Sequence, residues 1–266
     1  LIDFQIDNGT DAIIICGTTG ESSTMTDEEH VEAIRFAVEK TAGRVPVIAG
    51  AGSNHTSYAQ WMSKQAKDAG ADALLHVTPY YNKTSQAGLV KHFMTLADTT
   101  DLPVILYNVP SRTGCNITPA TYKELSKHPN IVATKEANGN LSAILETRYL
   151  CGEDLDIYSG NDDQIVPILS LGGKGVISVL SNVMPKEAHD ICQLFFDGKV
   201  AESAALQTKL CGLIQALFCD VNPIPVKEAV SLMGYAAGSC RLPLVGLSDA
   251  NKARLRGEME KFGLVK

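Results

Sequence analysis

The chain has 266 residues, 45% of them hydrophobic, with a formal net charge of -7 and a pI near 5.4. That acidity argues against nucleic acid and anionic membrane surfaces as partners, and no apolar run approaches the ~20 residues that cross a bilayer. Seven cysteines (Cys16, Cys115, Cys151, Cys192, Cys211, Cys219 and Cys240) are scattered without a Cys-x-x-Cys pair, so neither a disulfide framework nor a zinc site is suggested and reduced thiols in a cytoplasmic protein are expected.

Taken in order, residues 1–9 read as the last turns of a helix capped by Gly9, and residues 10–16 as a strand. Thr26-Asp27-Glu28-Glu29 has the spacing of a capping box and opens a helix to about residue 41. Strands are then expected at 45–49, 73–77, 104–108, 131–135, 156–159 and 175–179, separated by helices near 56–69, 86–99, 119–127, 141–151 and 164–171. From there the pattern is helical only, at about 185–196, 200–219, 224–233 and 248–262.

Strands and helices alternating in this way imply a parallel sheet with right-handed crossovers. Most strands are apolar on nearly every residue, which requires cover on both faces. An open doubly wound sheet and a closed (β/α)8 barrel both meet that requirement. Seven strands are counted, and the sequence begins partway through a helix. An eight-stranded TIM barrel with additional C-terminal helices is therefore expected, its first strand lying outside the sequence given. The expected division is a barrel over 1–184, then the last barrel helix and a helical extension over 185–266. Were Leu1 the true terminus, the barrel would carry a gap and an exposed edge.

In either architecture chemistry gathers at the carboxyl ends of the strands. The fifth strand, Ile131-Val132-Ala133-Thr134-Lys135-Glu136-Ala137, ends in a lysine where an apolar residue would be expected. A desolvated lysine sheds its proton more readily and can attack a carbonyl to form a Schiff base. The plainer alternative pairs Lys135 with Glu136 or another carboxylate at the rim. Around it, the first strand ends in Gly17-Thr18-Thr19-Gly20-Glu21, a turn whose hydroxyls and amides suit a carboxylate or phosphate oxygen. The third ends in Thr78-Pro79-Tyr80-Tyr81-Asn82, and the fourth in Tyr107-Asn108-Val109-Pro110-Ser111-Arg112-Thr113-Gly114. Arg112 offers a planar fork for a carboxylate, and Tyr107 could carry a proton beside the lysine. Ser159-Gly160-Asn161-Asp162-Asp163 closes the sixth strand. Gly172-Gly173-Lys174-Gly175 lacks Walker spacing and is given a structural role. Each feature alone has a bland reading, but their recurrence at one end of successive strands favours a site centred on Lys135. His30, His55, His76, His92, His128 and His189 read as surface or packing residues, mostly on helices or at turns. No metal ligand set and no nicotinamide fingerprint stand out.

Those motifs, together with Gly175-Val176-Ile177-Ser178-Val179, resemble the dihydrodipicolinate synthase family of pyruvate-dependent class I aldolases, in order and from residue 1 to the C-terminal helices. The resemblance implies a lyase or synthase that condenses pyruvate with L-aspartate 4-semialdehyde, early in diaminopimelate and lysine biosynthesis. It implies no cofactor beyond a lysine imine. Lys135 would carry the imine, and Thr18 and Thr19 would hold the pyruvate carboxylate. Tyr107, Thr19 and Tyr81 would relay protons, with Tyr81 inserted from a neighbouring subunit of a homodimer or homotetramer. Arg112 would bind the semialdehyde carboxylate, and Gly160 and Ile177 would line the site through backbone atoms. A sibling sugar-acid aldolase (N-acetylneuraminate or 2-keto-3-deoxygluconate lyase) and a catalytically silent barrel are the alternatives; Arg112 speaks against the first and the intact constellation against the second. His30, Asn54 and Tyr80 match positions of the family's lysine effector site. Tyr58, however, stands where a glutamate would hold the ammonium, and Asp27 replaces a second histidine, so weak or absent inhibition by lysine is expected.

Overall fold

The computed structural model describes residues 1–265. Its elements in chain order are α1 (Ile2–Asp7), β1 (Ile13–Ile15), α2 (Asp27–Thr41), β2 (Val47–Gly50), α3 (Thr56–Asp68), β3 (Ala73–Val77), α4 (Gln86–Ala97), β4 (Val104–Asn108), α5 (Pro110–Thr113), α6 (Pro119–Leu125), β5 (Ile131–Glu136), α7 (Leu141–Cys151), β6 (Asp156–Ser159), α8 (Ile165–Ser170) and β7 (Gly175–Val176). Four helices complete the chain, α9 (Pro185–Phe196), α10 (Val200–Leu217), α11 (Ile224–Leu232) and α12 (Asp249–Glu260).

The strands form one sheet of seven in the order β1 to β7, and every ladder is parallel. This is the curled sheet and outer helix layer of a TIM barrel; among the described residues β1 and β7 are its two edges. Alternation along each strand sorts the side chains into two environments. Leu75, Ile105, Tyr107 and Ala133 meet inside the curl, with Ile14, Ile48, Tyr158 and Ile177 against them. Val104, Leu106 and Ile131 point the other way and pack with Leu89, Phe93 and Tyr122 of the surrounding helices. The largest apolar cluster joins α8 and the chain after β7 to α9–α12, running from Ile165 and Leu169 to Leu255 and Met259.

Local chemistry accounts for the element ends. Thr26 accepts from the Glu29 N–H while Glu29 accepts from the Thr26 N–H, so the capping box foreseen in the sequence opens α2. At the end of β2 a Cβ on Gly50 would lie 2.2 Å from the Cys16 carbonyl oxygen, so only glycine lets β1 and β2 approach there.

Two expectations need correction. The last strand was expected over 175–179 but stops at Val176. The buried Asp162 carboxylate takes the N–H groups of Val179 and Leu180 at 3.0 and 2.9 Å and the Ser178 hydroxyl at 2.5 Å, bending the chain out of the ladder. Residues 110–113, read as loop, form the short helix α5, because Pro110 at its first position presets φ and needs no N–H partner. His76 sits fully buried within β3, a packing residue inside the strand expected over 73–77.

Candidate active site

Tyr107 and Lys135 are the penultimate residues of β4 and β5, and the parallel register sets them side by side. Both point into the curl, and the lysine Nζ lies 4.4 Å from the centre of the tyrosine ring. The negative face of an aromatic ring attracts a cation, so this contact holds the lysine ammonium beside the tyrosine. Lys135 is half-buried, not sealed in the apolar enclosure that its strand suggests.

The next residue of each strand faces the helices, and there the pairing is polar. Glu136 is buried and turned away from Lys135, so the rim ion pair of the plainer alternative is not formed. Both carboxylate oxygens accept from Asn108 Nδ2 at 3.1 Å, Oε2 accepts from the Tyr122 hydroxyl at 2.9 Å, and Oε1 accepts from the Asn138 N–H at 2.9 Å. Burial pushes the carboxyl up to about 7, against the hydrogen bonds from Asn108, Tyr122, Asn138 and Ala137 that pull it down. The arrangement pins Asn108 to Glu136 and thereby Tyr107 to Lys135. A one-residue slip would send the lysine to the helix side.

Gly160 closes the neighbouring wall. A Cβ there would meet the Ala137 Cβ at 2.8 Å and the Lys135 Cε at 3.2 Å, so the lysine stem occupies the space that a side chain would fill. Ile177 donates its N–H to the Ser159 carbonyl at 2.8 Å and packs in the inner cluster with Tyr107. Asp162 is buried behind these residues. Desolvation raises its carboxyl, offset by the bonds from Ser178, Leu180 and Val179 and by the charge of Lys135.

The Gly17–Glu21 turn winds into a 3-10 helix, Thr18–Gly20, whose leading amides have no partner within so short a turn. Glu21 at its end takes φ +55, a left-handed backbone stabilised by ion pairing with Lys227 and by the Arg241 N–H at 2.8 Å. Thr19 Oγ1 accepts from Asn222 Nδ2 at 3.0 Å, and the carbonyl of Asn222 accepts from an Arg112 guanidinium nitrogen at 3.1 Å. One residue between α10 and α11 therefore joins the threonine turn to the arginine loop.

The structure thus brings Lys135, Tyr107, Gly160 and Ile177 to one end of the curl, and Thr19 and Arg112 to a common partner. Tyr81 stands apart. It is 92% exposed at the tip of the β3–α4 loop, with φ +68, and hydrogen-bonds to nothing among the described residues. The effector positions are only loosely assembled. Asn54 Nδ2 donates to the Tyr80 carbonyl at 3.0 Å, but His30 is buried with Nε2 2.8 Å from the Gly50 carbonyl oxygen. The Tyr58 hydroxyl donates to Asp27 at 2.7 Å.

Sequence reasoning assigned no role to Asn222, Asn108 or Asp162. The signal for Asn222 was its place in Val221-Asn222-Pro223-Ile224-Pro225, a polar residue bracketed by breakers and later found only 6% exposed. Asp162 had been noted only as part of a strand-end motif. Among the described residues no cluster of three or more His, Cys, Asp or Glu is arranged to hold a metal ion. No helix among them is long and apolar enough to cross a membrane.

Comparison with known proteins gives a consistent set of similarities. Residues 1–261 match the Dihydrodipicolinate synthetase family. The chain is 58% identical to the 4-hydroxy-tetrahydrodipicolinate synthase of Lachnoclostridium phytofermentans, over 100% of this chain and 90% of that protein. It is 57% identical to the synthase of the same name from Caldicellulosiruptor saccharolyticus, over 99% of this chain and 89% of that one. Its fold superposes with a TM-score of 0.97 on the crystal structure of DHDPS from Cyanidioschyzon merolae with lysine bound, at 42% identity, covering 99% of this chain and 90% of that chain.

Proposed function

The chain belongs to the dihydrodipicolinate synthetase family, and on that premise we propose that it condenses pyruvate with L-aspartate 4-semialdehyde through a Schiff base on Lys135, giving 4-hydroxy-tetrahydrodipicolinate. The lysine nitrogen attacks the ketone carbon of pyruvate, and water leaves as the iminium forms. Thr18, Thr19 and the amides of their turn hold the pyruvate carboxylate. The positive iminium draws electrons from the adjacent methyl group, which loses a proton to give an enamine. The enamine carbon then forms the new bond to the aldehyde carbon, whose oxygen takes up a proton. The amino group of the semialdehyde then adds to the iminium carbon, closing the ring, and the lysine amine leaves, so one water is released overall. Tyr107 and Thr19 move the protons, and a tyrosine hydroxyl positioned for such transfer contributes typically 10²–10⁴-fold. Arg112 binds the carboxylate of the semialdehyde as a charged fork. The iminium itself is the electron sink, so this sequence of steps calls on no separate cofactor.

One observation carries the reading: Lys135 Nζ over the Tyr107 ring at matched register on adjacent strands. Homologues named as synthases and the presence of Arg112 leave the sugar-acid aldolase and the silent barrel unfavoured. Self-association as a dimer or tetramer belongs to the same proposal, because Tyr81 is presented to solvent and can join the relay only from another chain. A reducing, cytoplasmic setting suits seven unpaired cysteines. The test is borohydride reduction with pyruvate present, followed by peptide mapping. A stable pyruvyl mass on Lys135 is expected, together with turnover of aspartate semialdehyde and not of sugar acids. Absence of that adduct would overturn the assignment.

A further inference from the structure

The segment from Asn222 to Lys227 grips the threonine turn at two points. Asn222 Nδ2 donates to Thr19 Oγ1 at 3.0 Å, and five residues on, Lys227 pairs with Glu21 and also donates to the Ser239 carbonyl at 2.8 Å. Arg241 adds a third hold, through its N–H to Glu21 at 2.8 Å and its guanidinium to Glu29 at 2.5 and 2.8 Å. The side of Asn222 facing Arg112 is its backbone carbonyl, at 3.1 Å. A hydroxyl has one proton to give and two lone pairs to receive with. The Asn222 Oδ1 lies farther off, 3.5 Å from the same hydroxyl, so with the amide N–H at 3.0 Å on one lone pair of Thr19 the threonine proton is only weakly held by Asn222 and is left for a nearer acceptor. Asn222 is 6% exposed, so water does not readily replace it.

We infer that Asn222 is a positioning residue that fixes the direction of the Thr19 hydroxyl, keeping its proton available to the reaction, and that its main chain ties this hydroxyl to the Arg112 loop. The inference rests on the reaction proposed above. Its consequence is a specific order among variants. Asn222→Asp keeps size and shape but turns the donor into an acceptor, so the Thr19 proton is captured by the new carboxylate. Asn222→Ala removes the donor without supplying a competing acceptor. The isosteric variant is therefore the more damaged of the two. A residue serving only to pack the loop gives the reverse order.

The experiment measures kcat, borohydride trapping at saturating pyruvate, deuterium exchange into the pyruvate methyl group, and melting temperature for the wild type and both variants. For Asn222→Asp, kcat and methyl exchange are expected to fall together by about 10²-fold, with trapped Lys135 and melting temperature unchanged. Asn222→Ala is expected to lose less. The activity of Asn222→Asp relative to wild type rises as pH is lowered, because a protonated carboxyl can donate again. Wild-type kcat in Asn222→Asp, or greater loss in Asn222→Ala, overturns the inference. So does a pH-independent ratio. Should the wild type itself trap no pyruvate on Lys135, the proposed reaction fails instead, and the two failures are thereby distinguished.

Discussion

Tyr107 and Lys135 stand opposite one another on neighbouring parallel strands, with the lysine nitrogen 4.4 Å from the tyrosine ring centre, while their successors Asn108 and Glu136 pair on the other face. In the proposed reaction the inward pair carries the reactivity, and the outward pair carries register. Because the two are covalently consecutive, disturbing either one moves the other.

Replacing Lys135 by arginine removes the nucleophile while keeping a cation. Turnover is expected to fall on the order of 10³-fold or more, and borohydride should fix no pyruvate on the protein. Wild-type turnover in Lys135→Arg ends the Schiff-base reading.

Tyr107→Phe keeps the ring over Lys135 and deletes only the hydroxyl. Expected is a kcat lower by about 10²-fold with melting temperature unchanged. An unaltered kcat would mean that the ring matters and the hydroxyl does not.

Arg112→Ala should act on the second substrate alone. Hydrogen bonds to a charged group contribute about 1.5–3 kcal/mol, so KM for the semialdehyde should rise roughly 10- to 100-fold. The yield of trapped pyruvate at saturation stays as in the wild type. Equal losses for both substrates would refute a dedicated role.

Stability should fall on acidification, for reasons that can be counted. Burial lowers His76 to about 3 and His92 to about 4, whereas the unfolded chain charges both near 6.5. These two contribute stability that is complete above 6.5 and drains away as pH falls toward their folded values. Glu136 has the opposite sign. Raised from 4.5 to about 7, it contributes fully below 4.5 and loses that contribution as pH rises through 7. Between about pH 5 and 6 the unfolded state thus binds two extra protons and the folded state one. These three groups together contribute a slope of about 1.4 kcal/mol per pH unit, and the slope should steepen by about as much again in Glu136→Gln. Urea unfolding at several pH values reads this directly, and an unchanged or shallower slope in the variant contradicts the account.

Lysine should inhibit weakly. Tyr58 stands in place of a carboxylate, and among the matched positions only Asp27 brings a negative charge, with one oxygen already accepting from the Tyr58 hydroxyl at 2.7 Å. Turnover is expected to be nearly constant as lysine rises into the millimolar range. Strong inhibition below that range would show that other residues supply the missing attraction.

Taken alone, the sequence determined which residues could do chemistry and the kind of fold that would collect them. Apolar strands every few turns of helix require a doubly covered parallel sheet, and such a sheet places Thr19, Tyr107, Arg112 and Lys135 at the same end of their strands. The capping box at Thr26 and Glu29 was legible because its partners are three residues apart. Only the tertiary structure decided the contacts between distant segments. Asn222 reaches Thr19 across 203 positions, and Asp162 stops β7 by taking the amides of Val179 and Leu180. Glu136 turns from its neighbour Lys135 to Asn108 and Tyr122. Hydrophobic periodicity records burial and the side a residue faces, but it carries no information about which polar group a buried donor will meet once the chain has closed.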